Sequence, residues 1–105
     1  MAIITRSVLS TDWVRIKASA TEGDVYVDLT VDLVELAFPV TGVKPVTGDW
    51  QTGEWELTDQ DGKYWARVLV GPAGFPLAVG TYDVYIRVHD VPAVPVDLRG
   101  QIRII

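Results

Sequence analysis

The sequence predicts an all-β chain folded as an antiparallel β-sandwich, on three observations. Residues 80–90, Gly-Thr-Tyr-Asp-Val-Tyr-Ile-Arg-Val-His-Asp, alternate cleanly. Tyr82, Val84, Ile86 and Val88 point one way, and Asp83, Tyr85, Arg87 and His89 the other, the period-two signature of a half-buried strand. Seventeen of the 105 residues are Val, a β-branched side chain that suits pleated surfaces. Finally, no helical period persists over about ten residues, and short apolar runs are punctuated by turn residues at roughly the 8–12-residue spacing of sandwiches and barrels. The length fits one domain with one core over residues 1–105, with seven or eight strands and no helix longer than about two turns.

Taken in order, residues 2–9 read as an irregular edge strand. Residues 12–19 alternate Val14, Ile16 and Ala18 against Arg15 and Lys17. Thr21-Glu22-Gly23-Asp24 is a turn, after which Val25, Val27, Leu29 and Val31 share a face. Residues 33–38 supply a short strand with Leu36 and Phe38 toward the core. Residues 39–53 form the longest irregular stretch, with Trp50 as its anchor. Asp61-Gly62 is a strong hairpin signal, because both central residues of a type I′ turn need positive φ. Counting outward from it pairs Leu57 with Ala66, Glu56 with Arg67 and Trp55 with Val68. That register puts Trp55, Leu57, Tyr64, Ala66 and Val68 inward, and Glu56, Thr58, Trp65 and Arg67 outward. Gly71-Pro72-Ala73-Gly74 breaks the chain before a last strand pair, residues 80–90 and 96–105. The predicted core is Tyr82, Val84, Ile86, Val88, Trp55, Leu57, Ala66 and Val68.

The last pair opens with Gly80-Thr81-Tyr82 and is separated by Val91-Pro92-Ala93-Val94-Pro95. It resembles the final two strands of an immunoglobulin-like sandwich. There a Tyr near the start of the penultimate strand hydrogen-bonds backbone at a corner, a role that Tyr82 would fill.

Composition narrows the chemistry. The net charge is −5, from 14 acidic and 9 basic residues spread along the chain. Nucleic acid and anionic membranes need clustered cations, so neither is an expected partner. No run of 18 apolar residues exists to span a bilayer, and the first residues lack the pattern of a signal peptide. With no Cys, disulfides, thiol catalysis and thiolate metal sites are excluded. With no Asn, there is no N-glycosylation sequon.

No catalytic constellation is found. His89 is the single His, and Ser7, Ser10 and Ser19 all lie far from it in sequence, outside any nucleophile-elbow pattern; an outward-facing His at a strand end is the expectation. Asp59-Gln60-Asp61-Gly62 opens like a calcium loop but lacks the Glu at its twelfth position, and a hairpin accounts for both acids. Glu54 and Glu56 share a strand and a face, which reads as a solvated surface and not as a glycosidase pair. The expectation is a chain with no enzyme activity, no cofactor and no metal.

Four Trp among 105 residues carry more information. Trp55 falls in the core, whereas Trp13 lies on the Arg15/Lys17 face and Trp65 on the Glu56/Arg67 face. Outward Trp can anchor a protein interface or stack on a sugar. Trp65, Arg67, Glu56 and Trp13 are the candidate interface residues.

Three segments, taken in order, resemble a known group. They are Val27-Asp28-Leu29-Thr30-Val31 leading into Glu35-Leu36-Ala37-Phe38; Gly48-Asp49-Trp50-Gln51-Thr52-Gly53-Glu54-Trp55; and Tyr64-Trp65-Ala66-Arg67-Val68-Leu69-Val70-Gly71-Pro72, followed by Gly80-Thr81-Tyr82 and the Pro-containing break. From residue 24 onward the chain looks like the small immunoglobulin-like β-sandwich domains of tailed-bacteriophage virion proteins, especially phages of actinobacteria. The resemblance implies a structural head or tail accessory, fibre or baseplate module, made in the host cytoplasm and assembled into the virion. It would act by contact with other virion proteins or with itself, as a homo-oligomer. Abundant Val, Asp, Gly and Arg with few Lys and no Asn point to a GC-rich genome, in keeping with such a host. A carbohydrate-binding or adhesin module using Trp13 or Trp65 remains the alternative, and a small hydrolase is the least favoured class.

Overall fold

The computed structural model describes residues 3–19, 21–22, 25–26, 30, 32–56, 63–89 and 94–105. Within them the regular structure is almost entirely strand: β1 (Ile3–Arg6), β2 (Asp12–Ser19), β3 (Thr21–Glu22), β4 (Val25–Tyr26), β5 (Leu33–Ala37), β6 (Trp50–Thr52), β7 (Glu54–Trp55), β8 (Lys63–Val70), β9 (Gly80–His89) and β10 (Val96–Ile104). One 3-10 turn, Thr47–Asp49, precedes β6.

Eight of the strands form two sheets. One has the order β1-β10-β9-β5-β6 and the other β2-β8-β7, while β3 and β4 make a separate ribbon. The alternation read along residues 80–90 is what makes β9 the centre of the larger sheet. Its Val84, Ile86 and Val88 are buried, and they meet Val34, Leu36 and Phe38 from the β5 segment and Ile102 and Ile104 from β10 in one cluster. The smaller sheet closes that cluster from the other side with Val14, Ile16, Tyr64, Ala66, Val68 and Val70. Two sheets facing each other across one apolar layer are the sandwich that the alternation predicts.

The strand order follows the immunoglobulin-like pattern. β2, β8 and β7 occupy the places of strands B, E and D, and β10, β9, β5 and β6 those of G, F, C and C′. The backbone bond expected of a Tyr corner is made, the Tyr82 hydroxyl donating to the Ala78 carbonyl 2.9 Å away, but at the exposed surface and without the expected burial. Its ring is only half-buried, as is that of Trp55, so both pack against the core from its rim. Leu57 and the Asp61-Gly62 turn lie outside the described residues.

Three expectations are corrected. The edge strand β1 pairs with β10 in parallel, Ile3 beside Gln101 and Arg6 beside Ile104, so the sandwich is not antiparallel throughout. In the β7–β8 hairpin, Trp55 faces Ala66 and Glu54 faces Arg67, two residues out of step with the register counted from a tight Asp61-Gly62 turn. A two-residue slip leaves every side chain on its original face, so the burial pattern could not distinguish the two registers. Lastly, alternation predicts Asp83 on the outer face, yet it is 5% exposed. The chain at Pro39–Gly42 folds over it: the Gly42 N–H donates to its carboxylate at 3.0 Å, as does the Gln101 amide at 3.1 Å. The 39–53 stretch is correspondingly more ordered than its composition suggests, and Trp50 sits in β6, opposite Ala37.

Candidate functional site

The outer face of the β2-β8-β7 sheet gathers all four sequence-predicted interface residues. Strand alternation puts Trp13, Arg15 and Lys17 of β2 outward, and the ladder sets them beside Leu69, Arg67 and Trp65 of β8. Like charges thus stand directly opposite at Arg15 and Arg67, an arrangement that is destabilising on its own. Each guanidinium is neutralised by its own carboxylate. Arg15 reaches across β8 to Glu56 with a two-pronged bond, 2.5 Å from Nε and 3.0 Å from Nη2. Arg67 binds Glu54, its cross-strand neighbour, at 2.7 Å.

Each guanidinium also lies over an indole. Arg15 is 4.4 Å from the Trp65 ring centroid, Lys17 is 5.7 Å from it, and Arg67 is 4.0 Å from that of Trp13, all within cation–π range. The face therefore carries two side-by-side triads, Trp65–Arg15–Glu56 and Trp13–Arg67–Glu54. The expected pairing of Glu56 with Arg67 is replaced by these two partnerships, as the two-residue register difference requires. Hydrogen bonding from Arg15 holds the Glu56 carboxyl below the usual glutamate range, and the same contact raises the Arg15 guanidinium. Both Trp are half-buried and Arg15 and Lys17 are exposed, so the face is apolar and cationic at its surface while its charges are already oriented.

A second constellation, on the outer face of the larger sheet, escaped the sequence reading. Glu35 of β5 lies opposite Arg87 of β9. Its carboxylate accepts from Arg87 Nε at 2.9 Å and also engages His89 Nε2. Arg87 stacks on Trp50 at 4.2 Å. Burial pushes the Glu35 carboxyl upward, but the bonds from Arg87 and His89 outweigh it and the net displacement is downward. His89 does stand outward at a strand end, tethered to this carboxylate. No local signal could have found the cluster, because it exists only once β5 and β9 are known to be neighbours.

Among the described residues no group of three or more His, Asp or Glu is placed to hold a metal ion, and no helix is long and apolar enough to cross a membrane. Asp59 and Asp61 fall outside the described residues. The chain matches no protein-family model, no curated protein and no solved structure.

Proposed function

We propose that this chain is a non-enzymatic structural module of a tailed-phage virion, a head or tail accessory, fibre or baseplate component that works by protein–protein assembly. The observation that carries the assembly part is the convergence of Trp13, Trp65, Arg67 and Glu56, with Arg15, on one sheet face. Trp and Arg are the residues in which interfaces concentrate binding energy. Here their geometry is set before any partner arrives, which reduces the ordering that binding must impose. The virion part is supported by the three-segment resemblance. A sugar stacks on the flat face of an indole, and in both Trp a guanidinium already occupies a ring face, which favours a protein partner over a glycan.

The test is in two steps. Mass spectrometry of purified particles of the phage carrying the gene is expected to find the chain. Binding of the isolated domain to particles that lack it is then expected to weaken by about 2 kcal/mol or more in Trp65→Ala, with circular dichroism confirming that the fold persists. Absence from particles defeats the virion reading, and a glycan that binds in competition at Trp13 or Trp65 would replace it with the carbohydrate-binding one.

A further inference from the structure

We infer that the cleft between β2 and β10 is a binding site for a carboxylate carried on a short aliphatic stem, held by Arg99 and Lys17. Arg15 and Trp65 border this cleft as well as the sheet face described above, but its ligand-holding groups are different ones.

The cleft is made by a β-bulge. Pairing of β10 with β9 steps from Leu98–Tyr85 to Gly100–Val84, so Arg99 is an extra residue with no partner on β9. In a regular strand Arg99 would follow Leu98 onto the inner face, above the apolar layer. The bulge gives that place to Gly100 instead, and bulges characteristically re-aim a side chain. Gly100 is buried and has no side chain, which leaves space over a floor of Ile4, Ile16 and Val84. Arg99 is exposed and reaches across to the other sheet, where its Nη2 donates to the Lys17 carbonyl at 3.0 Å.

Charge then selects the ligand. Arg6, Arg15, Arg67 and Arg87 each meet a carboxylate. Arg99 and Lys17 meet none among the described residues, in a chain of net charge −5. Yet the fold keeps these two cations adjacent, because Arg99 is bonded to the backbone of Lys17 itself. Lys17 Nζ lies 5.7 Å from the Trp65 ring centroid, on the wall of the same cleft. The Arg99 guanidinium has donors left over after the carbonyl bond, and its planar fork matches the two oxygens of a carboxylate. The Lys17 ammonium supplies a second positive partner. An anion between them relieves their mutual repulsion. The apolar floor does nothing for a bare ion, whereas a hydrocarbon stem behind the carboxylate covers it and gains by leaving water.

The test titrates sodium hexanoate into the native chain at constant ionic strength, followed in NMR spectra at the Gly100 amide and the Trp65 indole N–H. Saturable shifts are expected at both. Arg99→Ala and Lys17→Ala should each raise the dissociation constant at least about tenfold. Arg103→Ala and Lys44→Ala, which remove cations outside the cleft, should leave it unchanged. Acetate, which lacks most of the stem, should bind at least about fivefold more weakly. If Arg99→Ala does not fold, Lys17→Ala decides, since it keeps the carbonyl that Arg99 uses. The absence of a saturable shift overturns the site, and a cleft already filled by one of the chain's own carboxylates would give that result. Unchanged affinity in the variants overturns it too, as does acetate or inorganic phosphate binding as tightly as hexanoate. The source of the carboxylate is read from particle binding. Hexanoate that competes with binding to particles lacking the chain supports the site with a glutamate side chain or C-terminus of a virion protein as its ligand. Hexanoate that binds without affecting particle association supports it with a free acid as ligand. Hexanoate bound by a chain that is absent from particles supports the site and removes the virion reading.

Discussion

At the residue scale, Tyr82 and Glu56 show how much a single polar contact contributes. The Tyr82 hydroxyl bonds the Ala78 carbonyl at the molecular surface, so in Tyr82→Phe water can replace the lost donor. The expected loss is about 0.5–1.5 kcal/mol in a urea titration, below that for a carbonyl left buried and unpaired. Glu56 acts through pH. Its carboxyl titrates below the ordinary value of 4.5 because Arg15 holds it. A depressed folded value means that the contribution is fully present above 4.5 and is lost as pH falls through the folded value. Glu35 has the same sign, with Arg87 and His89 overcoming its burial. The stability gap between the native chain and Glu56→Gln should therefore be widest near neutrality and close as the pH falls below about 4.5, measured by thermal melts across that range. A gap that widens with acid would contradict the Arg15 assignment.

At the element scale, the turn after β8 is a clamp. Gly71 has φ +131°, and a Cβ there would lie 2.2 Å from the Ser10 carbonyl and 2.6 Å from Thr11 Cα. The Thr11 hydroxyl accepts from the Ala73 N–H at 3.1 Å, and the Gly71 N–H donates to Phe75. The β1–β2 connection and the β8–β9 connection are thus seated against each other through a glycine. Gly71→Ala is expected to destabilise the protein by at least about 2 kcal/mol. Gly48→Ala, where no atom lies within 4 Å, should stay within about 0.5 kcal/mol. Gly71 was legible as a breaker in the sequence, but its partner was not, since sequence shows turn chemistry and not what a turn packs against. The β7–β8 register has the same origin. Among the described residues of this hairpin the inward and outward faces agree with the alternation, because alternation has a period of two, and the slip of two residues was invisible for that reason. Asp83 was misassigned because a loop covers part of a face that alternation alone marks as open.

At the scale of the whole molecule, the sandwich was readable from composition and periodicity, and so was the buried face of nearly every long strand. Trp13 and Trp65 were placed on outer faces, where they are, but their stacking with Arg67 and Arg15 required the β2–β8 pairing. An edge strand within residues 2–9 was legible, and β1 is the edge of the larger sheet, but which sheet it joins and its parallel pairing with β10 were not. That position orders events in time. β1 is held to β10 from Ile3–Gln101 to Arg6–Ile104, extended by the Val8–Ile105 and Ile105–Arg6 backbone bonds. This contact closes the largest loop in the molecule, and loop-closure entropy grows with the chain enclosed. β9 and β10 meet across a far shorter connection. The first strand in sequence should be the last to dock and the first to leave. Native-state hydrogen exchange should show the Ile105 amide, which bonds the Arg6 carbonyl, opening well below the free energy needed at Val84 and Ile86. Equal protection would place β1 within the same cooperative unit as the core. While β1 is away, β10 offers a template that the β1 of a neighbouring molecule fits as well as its own. At high concentration the protein is therefore poised to exchange its first strand between copies, a route to domain-swapped species.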